Sequence, residues 1–98
     1  LYPEDVVTSI CEFYQIKPTQ LKGAKRDAKL VRARQACMYV LKRESNLTYS
    51  EIGNILGGRD HTTIMYGVGK IEGLLSAHKF TEEALGIKEL SPKKSVDN

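Results

Sequence analysis

Three features of these 98 residues predict an all-α fold: a compact helical domain built around a helix-turn-helix unit and an exposed basic loop. Apolar residues recur at three- and four-residue spacing along most of the chain, and no stretch alternates as a strand would. Between Thr48 and Thr63 a capping box, a glycine pair and a second cap follow one another. Ahead of that unit, Lys22 to Ala28 (KGAKRDA) has no apolar rhythm and reads as a loop.

The first helix is expected from Pro3 to about Tyr14. Proline suits the first helical position, and Glu4 and Asp5 suit the positive end of the helix dipole. Val6, Val7, Ile10, Phe13 and Tyr14 form its apolar stripe. A short helix follows from Pro18 and ends before Gly23. The next stripe is Leu30, Ala33, Ala36, Cys37, Val40 and Leu41, one face of a long helix ending near Arg43 or Glu44. Arg34 and Gln35 lie at its margin.

Thr48 and Glu51 then stand at the spacing of a capping box, and Ile52, Ile55 and Leu56 give a short apolar face. Gly57-Gly58 ends that helix, because glycine tolerates the left-handed conformation a helix terminus needs. Asp60 caps the next helix. Its stripe is Ile64, Val68, Ile71 and Leu75, and it is expected to reach about Ser76. Phe80 to Leu85 reads as one last short helix. The helical domain is thus expected over 1–88, with the helix-turn-helix at about 48–76 and a polar, disordered tail over 89–98.

The net charge of +3 conceals an asymmetry. Lys17, Lys22, Lys25, Arg26, Lys29, Arg32, Arg34, Lys42 and Arg43 face one acid, Asp27, so the segment 17–43 carries +8 and the remainder −5. Such a block is the footprint of a phosphate-rich partner. Without such a partner it is a solvated basic face.

No run of about 18 apolar residues exists, so no membrane helix is expected, and no signal-peptide pattern opens the chain. The start at Leu1 rather than Met predicts a piece of a longer protein. Cys11 and Cys37 fall among apolar residues and read as buried thiols in a reducing cytoplasm. Two distant cysteines and two histidines do not supply the spacing of a zinc site, so no metal is expected.

The stretch GGRDHTTIMY, Gly57 to Tyr66, crowds directional donors and acceptors into one helix start. Catalysis is not expected there, and no catalytic residue is assigned. Consecutive helical residues fan out by about 100° each, whereas a triad needs its members in a hydrogen-bonded line. Capping accounts for Asp60 but not for the rest. Base reading accounts for all of them: arginine suits phosphate or guanine, aspartate accepts from cytosine, and threonine offers a methyl and a hydroxyl.

GGRDHTTIMYGVGKI (Gly57 to Ile71) closely resembles the signature of the C-terminal DNA-binding domain of DnaA-type bacterial replication initiators. The loop around Lys25-Arg26, the Arg34-Gln35 pair and the Ser50-Glu51-Ile52-Gly53 helix start are similar too. The resemblance implies a Trp-repressor-like helix-turn-helix that binds nonameric duplex sites, DnaA boxes, at a replication origin. It implies major-groove base contacts from Asp60, His61 and Thr62, and contacts to thymine methyls or the groove wall from Ser50 and Met65. Arg26 would enter the adjacent minor groove, where a narrow A·T tract attracts arginine. Lys25, Arg34, Gln35, Lys42, Arg59, Thr63 and Tyr66 would hold the phosphate backbone, fixing register without specifying sequence.

The same resemblance places ATP binding and oligomer formation in other domains. It implies no cofactor here, a monomeric isolated domain, and a cytoplasmic, nucleoid-associated protein. Ser50 and Ala33 stand where the family often has proline, and serine offers a methyl less apolar surface. Asp27 admits two readings, an ion pair that orients Arg26 or a repulsion of phosphate. Gly67, Gly69 and Gly73 each weaken the presumed recognition helix by about 0.5–1 kcal/mol relative to alanine. Two other functions fit the same features: a protein-interaction module whose basic face meets an acidic partner, and an RNA-binding domain. Few aromatics lie near the basic block to stack single-stranded bases, Tyr39 being the main one.

Overall fold

The computed structural model describes the backbone of residues 1–85 and the side chains of residues 1–79. Five helices follow in order: α1 (Pro3–Tyr14), α2 (Pro18–Leu21), α3 (Ala28–Glu44), α4 (Tyr49–Ile55) and α5 (His61–Leu85). No strand occurs among the described residues. α3 is the central element and packs on each of the other four, while α4 packs on α5 and α1 on α2.

The core is where the apolar stripes meet. Leu21, Cys37, Leu41, Ile52, Leu56 and Ile64 are fully buried, so α2, α3, the α4 end and α5 converge on one cluster. Each fully buried aliphatic contributes about 1.5–3 kcal/mol. Cys11 and Cys37 are free and buried, and burial pushes the Cys37 thiol up to about 12.

Helix ends follow the local chemistry. The Lys17 amide donates to Gln20 Oε1 at 2.8 Å and starts α2. Thr48 and Glu51 form the expected capping box: Glu51 N donates to Thr48 Oγ1 at 3.1 Å, and Thr48 N donates to Glu51 Oε1 at 2.8 Å. Gly57 and Gly58 have φ of 84° and 82°. The amides of Gly58 and Arg59 both donate to the Gly53 carbonyl at 2.9 Å, a Schellman-type closure of α4. A Cβ on Gly53 would stand 2.0 Å from the Arg59 carbonyl oxygen, so that closure also requires a glycine at Gly53.

Two expectations differ from what is observed. Phe13 is 79% exposed and lies outside the core. It stands two residues after the buried Cys11, about 200° around the helix, and meets the Tyr14 ring edge-on. The last two helices are one: α5 runs unbroken for 25 residues to Leu85 rather than stopping near Ser76. No proline or left-handed residue interrupts residues 76–80, so nothing in the sequence breaks it. Only its first half is core. Ile64 and Val68 are buried and Ile71 half-buried, but Leu75, expected on the stripe, is 49% exposed. The boundary expected at 88 and the tail over 89–98 lie outside the described residues.

Candidate nucleic-acid interface

The start of α5 is held by Asp60. Its Oδ2 accepts from the Thr62 amide at 2.9 Å, and its Oδ1 lies 3.6 Å from His61 Nδ1. The Thr62 hydrogen bonds, and secondarily the neighbouring His61, hold its carboxyl below the usual aspartate range. A solvent-exposed carboxylate here is therefore ionised and oriented by its own helix.

Helical spacing then sorts the following residues into three directions. Ile64 and Val68 point into the core. His61, Thr62 and Met65, at spacings of three and four, stand exposed on the outer face, with Met65 48% accessible. Thr63 and Tyr66 face sideways into an open groove of about 730 Å³, which is also lined by Arg26, Arg34, Gln35 and Arg59. The basic loop forms one wall of this groove and α5 the other, with α3 between them.

Six of the thirteen residues singled out from sequence therefore converge on one groove, and Asp60, His61, Thr62 and Met65 crown the adjoining helix. Ser50 is exposed in α4, and Lys25 is exposed on the loop. Lys42 is not part of the groove. Its Nζ donates to the Leu47 carbonyl at 3.2 Å and sits 4.4 Å from the Tyr49 ring centroid, which ties it to the α3–α4 connection.

Two arginines expected at phosphates are already hydrogen-bonded within the protein. Arg34 is not marginal but 4% exposed. Its Nε donates to Leu21 O at 2.8 Å, its Nη2 to Gln20 O at 2.9 Å and its Nη1 to Lys25 O. Burial first, then the nearby Arg59 charge, pulls its pKa below the ordinary arginine value, and Asp27 opposes this. Asp27 caps α3 through its backbone, without a side-chain cap bond, and its charge bears on Arg34. Arg59 Nη1 donates to Leu56 O at 2.5 Å and to Lys22 O at 3.3 Å, and its Nη2 donates to Gly23 O.

Sequence reading missed this engagement of Arg34 and Arg59, and it missed Lys22, Ala24 and Val31 as groove walls. A signal existed for Arg34 alone. It stands four residues after Leu30 and three before Cys37, on the buried stripe, where a charge persists only when fully hydrogen-bonded. Among the described residues no group of three or more acidic, histidine or cysteine side chains is placed to hold a metal. No described helix is long and apolar enough to cross a membrane.

Comparison with known proteins places these residues in context. A family profile described as "Bacterial dnaA protein helix-turn-helix" matches residues 3–71. The chain is 42% identical over 74 residues to the chromosomal replication initiator protein DnaA of Jannaschia sp. (strain CCS1), covering 76% of this chain and 16% of that protein. It is 38% identical over 88 residues to that of Roseiflexus castenholzii, covering 89% and 18%, and 40% identical over 87 residues to that of Chloroflexus aurantiacus, covering 88% and 18%. The chain thus spans under a fifth of the length of the curated relatives it matches.

Proposed function

From the premise that this chain belongs to the bacterial DnaA-protein helix-turn-helix family, and so is a DNA-binding domain, we propose that it reads DnaA-box duplexes sequence-specifically for a replication initiator. The observation that carries this reading is the sorting of α5. One helix start presents His61, Thr62 and Met65 outward while Thr63 and Tyr66 line a cation-walled groove beside it.

In this reading the exposed face enters the major groove. Asp60, His61 and Thr62 meet base edges, and Met65 and Ser50 meet thymine methyls or the groove wall. One phosphate strand runs into the groove between α5 and the basic loop, against Gln35, Thr63 and Tyr66. Lys25 meets the strand outside the groove. The helix N-terminus adds backbone N–H groups and a favourable dipole to the anion. Arg26, exposed on the loop, reaches the minor groove on the far side of that strand. Binding is by a monomer and needs no cofactor or catalytic group. ATP chemistry, oligomer formation and origin unwinding are assigned to the rest of the full-length protein, in the cytoplasm.

The test is a titration of the 98-residue chain against a DnaA-box duplex and a scrambled duplex at several salt concentrations. The DnaA-box duplex should bind more tightly. Thr62→Ala should lose about 1–3 kcal/mol on that duplex and almost nothing on the scrambled one. Equal wild-type affinity for the two duplexes would rule out a sequence reader. Tighter binding to folded RNA, or binding to neither nucleic acid at low salt, would favour the RNA-binding or protein-interaction alternative.

A further inference from the structure

Two guanidiniums converge on the inside of the basic loop. Between them Arg34 and Arg59 donate hydrogen bonds to the carbonyls of Gln20, Leu21, Lys22, Gly23 and Lys25, and Arg59 adds one to Leu56 at the end of α4. Like charges so close repel, and the converging carbonyl dipoles are what hold them there. A separate contact points the same way. A Cβ on Gly57 would meet Lys22 O at 2.3 Å, so the helix-turn-helix turn sits directly against the loop. The loop itself lacks apolar anchors, since residues 24–29 are exposed.

We propose that Arg59 and Arg34 form a clamp that fixes the basic loop, and with it Arg26, at a set position relative to the recognition helix. They are positioning residues that act through the loop, not phosphate contacts. The proposal rests on the duplex-reading function above. A protein that reads both grooves must hold its two readers at the span the duplex dictates. A loop free to wander would lose ordering entropy each time Arg26 entered the minor groove. The planar five-donor fork of arginine can join Leu56 to Lys22 and Gly23 at once. A lysine keeps the charge but cannot span those acceptors.

Arg59→Lys separates the possible roles because it retains the charge. Affinity for the DnaA-box duplex should fall about tenfold, as expected for losing charge-assisted hydrogen bonds that order the loop. Affinity for the scrambled duplex should stay within about twofold, because charge dominates nonspecific binding. In an Arg26→Ala background the same substitution should cost almost nothing, since the reader that it positions is gone. Backbone NMR order parameters of residues 23–26, measured without DNA, should fall in Arg59→Lys.

Wild-type affinity in Arg59→Lys would mean that charge alone suffices and would overturn the clamp. An equal loss in both backgrounds would assign Arg59 to fold stability and also overturn it. Unchanged loop order parameters would do the same without reference to DNA. Wild-type protein that fails to prefer the DnaA-box duplex would instead sink the function on which the proposal rests, and the order parameters would still report whether Arg59 holds the loop.

Discussion

At the scale of single residues, Asp60 has an observed role in the fold, beside the base contact proposed for it. Its carboxylate accepts from the Thr62 amide and thereby starts the helix that carries the outward-facing residues. A folded-state pKa below the unfolded one means that its stabilising effect is complete above the ordinary aspartate pKa and is lost as pH falls through the lowered value. A proton-detected titration of the Asp60 carboxyl should therefore place its midpoint below that of exposed aspartates. Asp60→Asn should keep the helix start, since asparagine caps as well as aspartate, while Asp60→Ala should lower the melting temperature. If Asn and Ala melt alike, the cap is not what Asp60 supplies. This residue was legible in the sequence because a cap acts on its own chain within three residues. Arg34 was not. Its acceptors lie 9 to 14 positions away, on a loop whose path only the tertiary fold sets.

In the first four helices the ends were as legible as the elements themselves, and in the fifth the end was not. The stop of α4 was readable because Gly57-Gly58 is a local conformational requirement. The continuation of α5 to Leu85 was not readable from its stripe, because periodicity reports which face is buried and not where hydrogen bonding ceases. The three glycines inside α5 read alike in sequence yet occupy different places. Gly67 lies against Met38, whereas Gly69 and Gly73 face open space.

Gly69→Ala should accordingly stabilise the domain by about 0.5–1 kcal/mol in denaturant melts. Gly53→Ala should do the opposite. Its new methyl would meet the Arg59 backbone, which cannot swing aside as a side-chain tip can, so a loss of about 1–3 kcal/mol or more is expected. If Gly53→Ala melts like the parent, the α4–α5 turn is less tightly closed than its hydrogen bonds to Gly53 O indicate.

Across the whole molecule, charge counted along the chain overstates charge free to meet DNA. The segment 17–43 carries nine cations and a balance of +8, and Arg59 lies near it in space. Yet Arg34 and Arg59 are bound to carbonyls, and Lys42 is tied to Leu47 and Tyr49. Arg43 stacks on Tyr39 and donates to its hydroxyl at 2.8 Å. What remains exposed on and beside the loop is Lys22, Lys25, Arg26 and Lys29. Each phosphate neutralised on duplex DNA contributes a slope of about −0.9 to log K against log salt. Four cations so placed give a slope of about −4 for the wild-type domain. Recruiting Arg34, Arg59 and Lys42 to phosphates as well would steepen it to about −6. The steeper value, measured on the DnaA-box duplex, would mean that the arginines leave their carbonyls on binding. The shallower one would mean that the fold keeps them, and that affinity comes from a few freely exposed cations held in place by the buried ones.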